Sequence, residues 1–136
     1  MHLIVKSHQT NGVCFRGFPR YIHQDAHLDA SGCLVIDSKV VISTKVIILT
    51  HDYSFLKRQE WSGDESNIQK INQIAFRKVS IGENSFIGAG AIILPGTSIE
   101  KWCIIGAGAV IKGDVEDYSI MAGNPAKVIG STQKQQ

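Results

Sequence analysis

Five histidines, His2, His8, His23, His27 and His51, are the side chains of this chain best placed to move a proton near neutral pH, because an imidazole ionises around pH 6.5. His2 and His8 precede any patterned sequence and carry no signal. His23 and His27 are four apart, a metal-pair spacing on a helix, but here they flank a predicted corner and read as surface decoration. His51 stands in Leu49-Thr50-His51-Asp52-Tyr53, where a regular pattern breaks off. From the residues alone, His51 is either an exposed polar side chain or a general base that takes a proton from an attacking hydroxyl. No serine or cysteine stands in a recognisable nucleophile motif, so a covalent intermediate is not indicated. Cys14, Cys33 and Cys103 are odd in number and lack CxxC spacing, which argues against a disulfide framework or zinc site.

A second chemical feature is made of very small residues. Ile87-Gly88-Ala89-Gly90-Ala91-Ile92 recurs 18 residues later as Ile105-Gly106-Ala107-Gly108-Ala109-Val110. If the two copies stack, Gly88 meets Gly106 and Ala89 meets Ala107, and another molecule can approach the backbone closely along that edge.

The elements that position these groups follow from periodicity. Isoleucine occurs 19 times, valine 10 and leucine 6, a balance that favours β-structure over helix. Aliphatic residues recur every six positions at Ile81, Ile87, Ile93, Ile99, Ile105 and Ile111. The same spacing runs upstream through Ile22, Leu28, Leu34, Val40 and Val46. Four residues after each stands a small or compact side chain, from Ala26 to Val115. In seven of the eleven hexads the third residue after the aliphatic one is Gly, Asn or Asp, which tolerate a left-handed turn. Each hexad is therefore a short strand and a corner, three hexads close a three-sided coil, and coils stack at roughly 4.8 Å. The expected domain is single and spans 1–136. Its repeats lie at about 22–51 and 75–116, a 23-residue excursion protrudes over 52–74, and a tail occupies 117–136. The excursion carries Phe55, Trp61 and Ile71, unlike a purely solvated loop. Subtracting it puts Val46, Ile87 and Ile105 on one face, with His51 just past the Gly/Ala edge.

This pattern resembles the hexapeptide-repeat family, the left-handed parallel β-helix acyltransferases. Residues 81–130 are similar to the carboxy-terminal half of its sugar and xenobiotic O-acetyltransferases, of the maltose and galactoside acetyltransferase type. The resemblance covers about 22–130. It implies an all-β, left-handed parallel β-helix and direct acetyl transfer from acetyl-CoA to a hydroxyl, with no acyl-enzyme and no metal. It implies His51 as the general base, and a homotrimer with coenzyme A between subunits. Carried over residue by residue, the donor contacts fall on Ala89, Ala107, Lys112 and Lys127. Lys112-Gly113-Asp114 stands where many relatives have Thr-Lys-Asp, so the lysine sits one place early. Asp29 is a candidate acceptor contact by its upstream position. Outward apolar residues such as Ile92 and Val110 favour association.

The expected acceptor is a hydroxyl on a sugar or surface-polysaccharide precursor. A hydroxylated antibiotic of the streptogramin or chloramphenicol type is the alternative, and an amino sugar comes third. A silent β-helical scaffold is a further reading. A three-histidine carbonic anhydrase is disfavoured because no histidine follows His51, and an ice-binding helix because the outward positions show no regular threonine array. Fourteen Lys and Arg against twelve Asp and Glu give a charge of +2, too small to suggest nucleic-acid binding. No apolar run approaches a membrane span, and Leu3-Ile4-Val5 is too short for a signal-peptide core, so the expected compartment is the cytoplasm.

Overall fold

The computed structural model describes residues 1–54, 57 and 74–133. The excursion expected over 52–74 lies mostly outside the described residues. A helix, α1 (His2–Thr10), opens the chain; Ile4 packs against the core and Val5 is buried. Fifteen short strands follow among the described residues. They are β1 (Cys14–Arg16), β2 (Tyr21–Ile22), β3 (His27–Leu28), β4 (Leu34–Asp37), β5 (Val41–Ile42), β6 (Ile47–Ile48), β7 (Val79–Ile81) and β8 (Phe86–Ile87). Then come β9 (Ile92–Ile93), β10 (Ser98–Ile99), β11 (Ile104–Ile105), β12 (Val110–Ile111), β13 (Asp114–Val115), β14 (Ser119–Gly123) and β15 (Ala126–Ser131).

Every third strand pairs with the next in parallel. The first sheet is β1-β4-β7-β10-β13, the second is β2-β5-β8-β11-β14-β15, and the third is β3-β6-β9-β12. The three sheets form a β-solenoid of about four turns, consistent with a left-handed β-helix. Among the described strands only β15 runs antiparallel, folding back on β14. Most strands are two residues long because the chain must turn after each side. The first residue points out and the second in, so Ile42, Ile48, Ile87, Ile93, Ile105 and Ile111 are at most 1% exposed. The residue two before each inward isoleucine is also buried, among them Val40, Val46, Ser85, Ala91, Cys103 and Ala109. These two columns fill the prism. The buried polar side chains bond inward: the Ser85 hydroxyl donates to the Glu100 carbonyl and Thr97 to that of Leu94.

The upstream frame differs from the expectation. Val46 lies beside Ala91 rather than Ile87, because Ile47 pairs with Ile92 and Ile42 with Ile87. Downstream strands are offset by 18 residues (Phe86↔Ile104, Ile92↔Val110), falling to 16 at the last coil (Ser98↔Asp114, Ile104↔Ile120). Upstream ones are offset by 20 or 21 (Tyr21↔Val41, His27↔Ile47, Cys14↔Val35). Between Leu28 and the next inward residue, Ile36, the step is eight residues instead of six. Leu34, Val40 and Val46 are thus members of the second buried column. The period alone cannot separate the columns, because valine and leucine fit either one. Across the excursion the offset is 45 residues (Val41↔Phe86), which exceeds one 18-residue coil by 27 rather than 23.

Candidate active site

The two surplus residues of the Leu28–Ile36 step fall at the corner where the third sheet passes to the first. There the chain reads Asp29-Ala30-Ser31-Gly32. Ser31 N–H bonds Asp29 Oδ1 at 2.9 Å, the turn that an Asp-x-Ser segment favours. The next coil passes directly above. Thr50 N–H donates to Asp29 Oδ2 at 2.8 Å, and Gly32 N–H donates to Thr50 Oγ1 at 2.8 Å. Gly32 must lack a side chain, since a Cβ there would lie 2.6 Å from the Thr50 carbonyl oxygen.

On this corner His51 turns its ring towards Asp29. Nδ1 lies 2.6 Å from Asp29 Oδ2 and 2.9 Å from Ser31 Oγ. Asp29 is 8% exposed and the His51 side chain 41%, so the ring bridges core and solvent. Burial alone would raise the Asp29 pKa. The Ser31 hydroxyl, the Thr50 and Ser31 backbone N–H groups and His51 outweigh it, holding the carboxyl well below the usual carboxylate range. An ionised carboxylate only accepts, so the short bond is Nδ1–H donating to Asp29. A neutral His51 then carries its lone pair on Nε2, which has no hydrogen-bond partner among the described residues.

Both ends of the excursion are tied at this place. His51 and Phe76 form an antiparallel bridge, Asp52 N–H donates to the Ala75 carbonyl at 2.8 Å, and Arg77 N–H donates to that of Thr50 at 2.8 Å. A cavity of about 180 Å³ opens beside His51, lined by Leu49, Asp52, Arg77, Leu94, Pro95 and Lys112. The Ser54 hydroxyl and N–H, and more weakly the charges of Lys112 and Arg77, hold the Asp52 carboxyl below its usual range.

The expected site residues thus separate into two groups. His51, Asp29 and Lys112 share the corner between the third and first sheets. Ala89 and Ala107 sit at the corner between the second and third sheets, one above the other: Gly108 N–H donates to the Ala89 carbonyl at 2.8 Å. Lys127 is exposed on β15, paired with Ala122, and a Cβ on Gly106 would lie 3.4 Å from the Ala122 Cβ. It belongs with the second group. His51 is therefore across the third sheet from the Gly/Ala edge, not just past it. Gly88 is also explained differently. A Cβ there would lie 2.7 Å from the Ala107 nitrogen, so this glycine is required by the next coil's backbone and not by a ligand. Asp29, expected to touch the acceptor, is buried with Oδ2 against the His51 ring at Nδ1. Sequence reasoning did not single out Ser31, Thr50, Arg77 or Phe76. The turn-forming Asp-Ala-Ser-Gly text was the available signal for Ser31; the others come together only through coil stacking.

The bacterial transferase hexapeptide model (six repeats) matches residues 78–113. An Escherichia coli K12 protein assigned by name to lipopolysaccharide-biosynthesis O-acetyl transfer is 25% identical over 118 residues, covering 87% of this chain and 60% of the relative. A chloramphenicol acetyltransferase of Agrobacterium fabrum is 47% identical over 49 residues, covering 36% of this chain and 23% of that protein. The crystal structure of a maltose O-acetyltransferase from Clostridium difficile 630 superimposes with a TM-score of 0.60 at 27% identity, covering 90% of this chain and 58% of that one. The chain spans 60% or less of the length of each of these relatives. A parallel three-sided solenoid built on this repeat defines a class, the hexapeptide β-helices. Within that class, the chain is similar to the bacterial hexapeptide transferases over residues 78–113.

Proposed function

We propose that this protein is an acetyl-CoA-dependent O-acetyltransferase whose acceptor is a hydroxyl of a sugar or surface-polysaccharide precursor. The observation that carries the reading is the His51–Asp29 pair. Asp29 fixes the Nδ1–H tautomer at 2.6 Å and leaves Nε2 to take a proton at the edge of a cavity. As the acceptor oxygen attacks the thioester carbonyl, its proton passes to Nε2. The developing imidazolium is stabilised by the buried carboxylate. Collapse of the tetrahedral intermediate expels the coenzyme A thiolate, which recovers the proton from Nε2. The names of the Escherichia coli and Clostridium difficile relatives support a saccharide acceptor. The Agrobacterium match favours the second reading, acetylation of a hydroxylated antibiotic.

The donor edge fits an interfacial site. Ala89, Ala107 and Lys127 lie across the third sheet from His51, so one chain alone does not place donor and base together. In a homotrimer the Gly/Ala corner of one subunit faces the His51 corner of the next. Exposed Tyr21, Phe86 and Ile104 on the second sheet and Ile47 on the third support such packing. Ala89 and Ala107 then bond the pantetheine amides through their backbones, and Lys127 and Lys112 meet phosphates as point charges. No helix among the described residues is long and apolar enough to cross a membrane, and we place the enzyme in the cytoplasm, where acetyl-CoA is made. The test is a screen of acetyl-CoA consumption over sugars and hydroxylated antibiotics, with light scattering for the assembly. Turnover with a sugar that His51→Ala loses is expected. Turnover confined to the antibiotics would select the second reading.

A further inference from the structure

Two large aromatic side chains beside His51 are left unused by the chemistry above. Tyr53 is 39% exposed and Phe76 is 40% exposed. Their ring centroids lie 6.0 and 6.3 Å from that of His51, and the two rings meet edge to face at 6.1 Å and 84°. Each comes from a different end of the excursion. The backbone holds them there, through the His51–Phe76 bridge and the Asp52–Ala75 hydrogen bond. An aromatic pair kept partly in water beside the His51 ring forgoes burial that it could have had in the core.

We propose that Tyr53 and Phe76 form a stacking platform that selects a ring-bearing acceptor, a pyranoside, over an open-chain polyol carrying the same hydroxyls. The proposal rests on the acetyl-transfer reading of His51. A hydroxyl delivered to Nε2 brings the carbon framework that bears it within reach of these rings. A pyranose ring presents a face of polarised C–H bonds, and an aromatic face carries negative charge density, so the two attract. An open chain has no such preorganised face and loses more conformational freedom on binding. Tyr53 and Phe76 touch the acceptor only away from the reacting oxygen, so they govern its binding more than the chemical step.

The experiment compares methyl pyranosides of glucose, galactose, mannose and N-acetylglucosamine with the corresponding alditols, by release of free thiol from acetyl-CoA. The wild type, Tyr53→Ala, Phe76→Ala and the conservative Tyr53→Phe and Phe76→Tyr are each measured. The best pyranoside is expected to beat its alditol. Each alanine variant should raise the pyranoside KM about tenfold, with kcat and the acetyl-CoA KM little changed. The conservative variants should restore it. A wild type that treats pyranoside and alditol alike overturns the platform. So does an equal loss for both acceptors with a lowered melting temperature, which marks Tyr53 and Phe76 as packing residues. Saturation-transfer NMR of the same pyranosides on His51→Ala separates the two readings. Binding that Phe76→Ala abolishes, in a protein that transfers acetyl to nothing, keeps the platform and removes the transfer reading. Absence of pyranoside binding removes the platform.

Discussion

The first coils after the excursion advance 18 residues per turn and the last only 16, whereas those before it advance 20 or 21. The regular half repeats one solution. An inward isoleucine, a compact buried partner and a corner with Gly90, Gly96 or Gly108 at positive φ recur from coil to coil. The irregular half departs from it most at one corner, the eight-residue step from Leu28 to Ile36, and that corner carries Asp29, Ser31 and the support for His51. A strictly periodic prism presents equivalent positions on every coil, so it cannot single out a place for chemistry. Two added residues break the equivalence and let a carboxylate turn inward under the next coil.

The sharpest way to break this comparison is His51→Ala. The residue fills no core volume, so the melting temperature should stay near that of the wild type. Turnover with a verified acceptor should fall by about 10²–10⁴-fold. Near-normal turnover would falsify the assignment of the base. Asp29→Asn comes next. An amide can offer its oxygen or its NH2 to Nδ1, so the tautomer is no longer fixed, and turnover should fall by about 100-fold or more. Equal activity of this variant would mean that the corner carries no chemistry.

The regular half should respond in the opposite sense. Ile93→Ala removes a fully buried side chain from the prism and should cost about 2–5 kcal/mol of stability by urea unfolding. Turnover per folded molecule should change little. A large loss of turnover at full folding would show that the two halves are not separable. Acid adds a further contrast. The folded-state pKa of Asp29 is below its unfolded value, so its stabilisation is fully present above the unfolded pKa of about 3.9. That stabilisation is lost as pH falls from there towards the folded pKa. Between pH 5.5 and 3 the wild type should therefore lose more stability than Asp29→Asn, as read by urea midpoints. The smallest effect belongs to Ala107→Trp. This exposed corner faces no core, so folding should be kept, while the KM for acetyl-CoA rises about tenfold or more. An unchanged KM would move the donor groove elsewhere.

Much of the architecture is determined by the sequence alone. The six-residue recurrence from Ile81 to Ile111 dictates strands too short to be anything but the sides of a coil, because inward isoleucines at that spacing can share one core only if the chain turns between them. The upstream phase was not legible, since Leu34, Val40 and Val46 are as apolar as Ile36, Ile42 and Ile48 and both sets are buried. Hydrophobicity marks burial and not which column a residue occupies. His51 stood out as a candidate by its type and its place before the break. Asp29 was expected as an acceptor contact, but its pairing with His51 was not legible, because the two are 22 residues apart and no local pattern links an acid to the coil that will lie above it. That pairing depends on how many residues each corner consumes, and hydrogen bonding between stacked coils decides it. The separation of Ala89 and Ala107 from His51 was settled in the same way. Residues close along the chain can occupy different edges of a prism, and only the register of the parallel sheets assigns each to its edge.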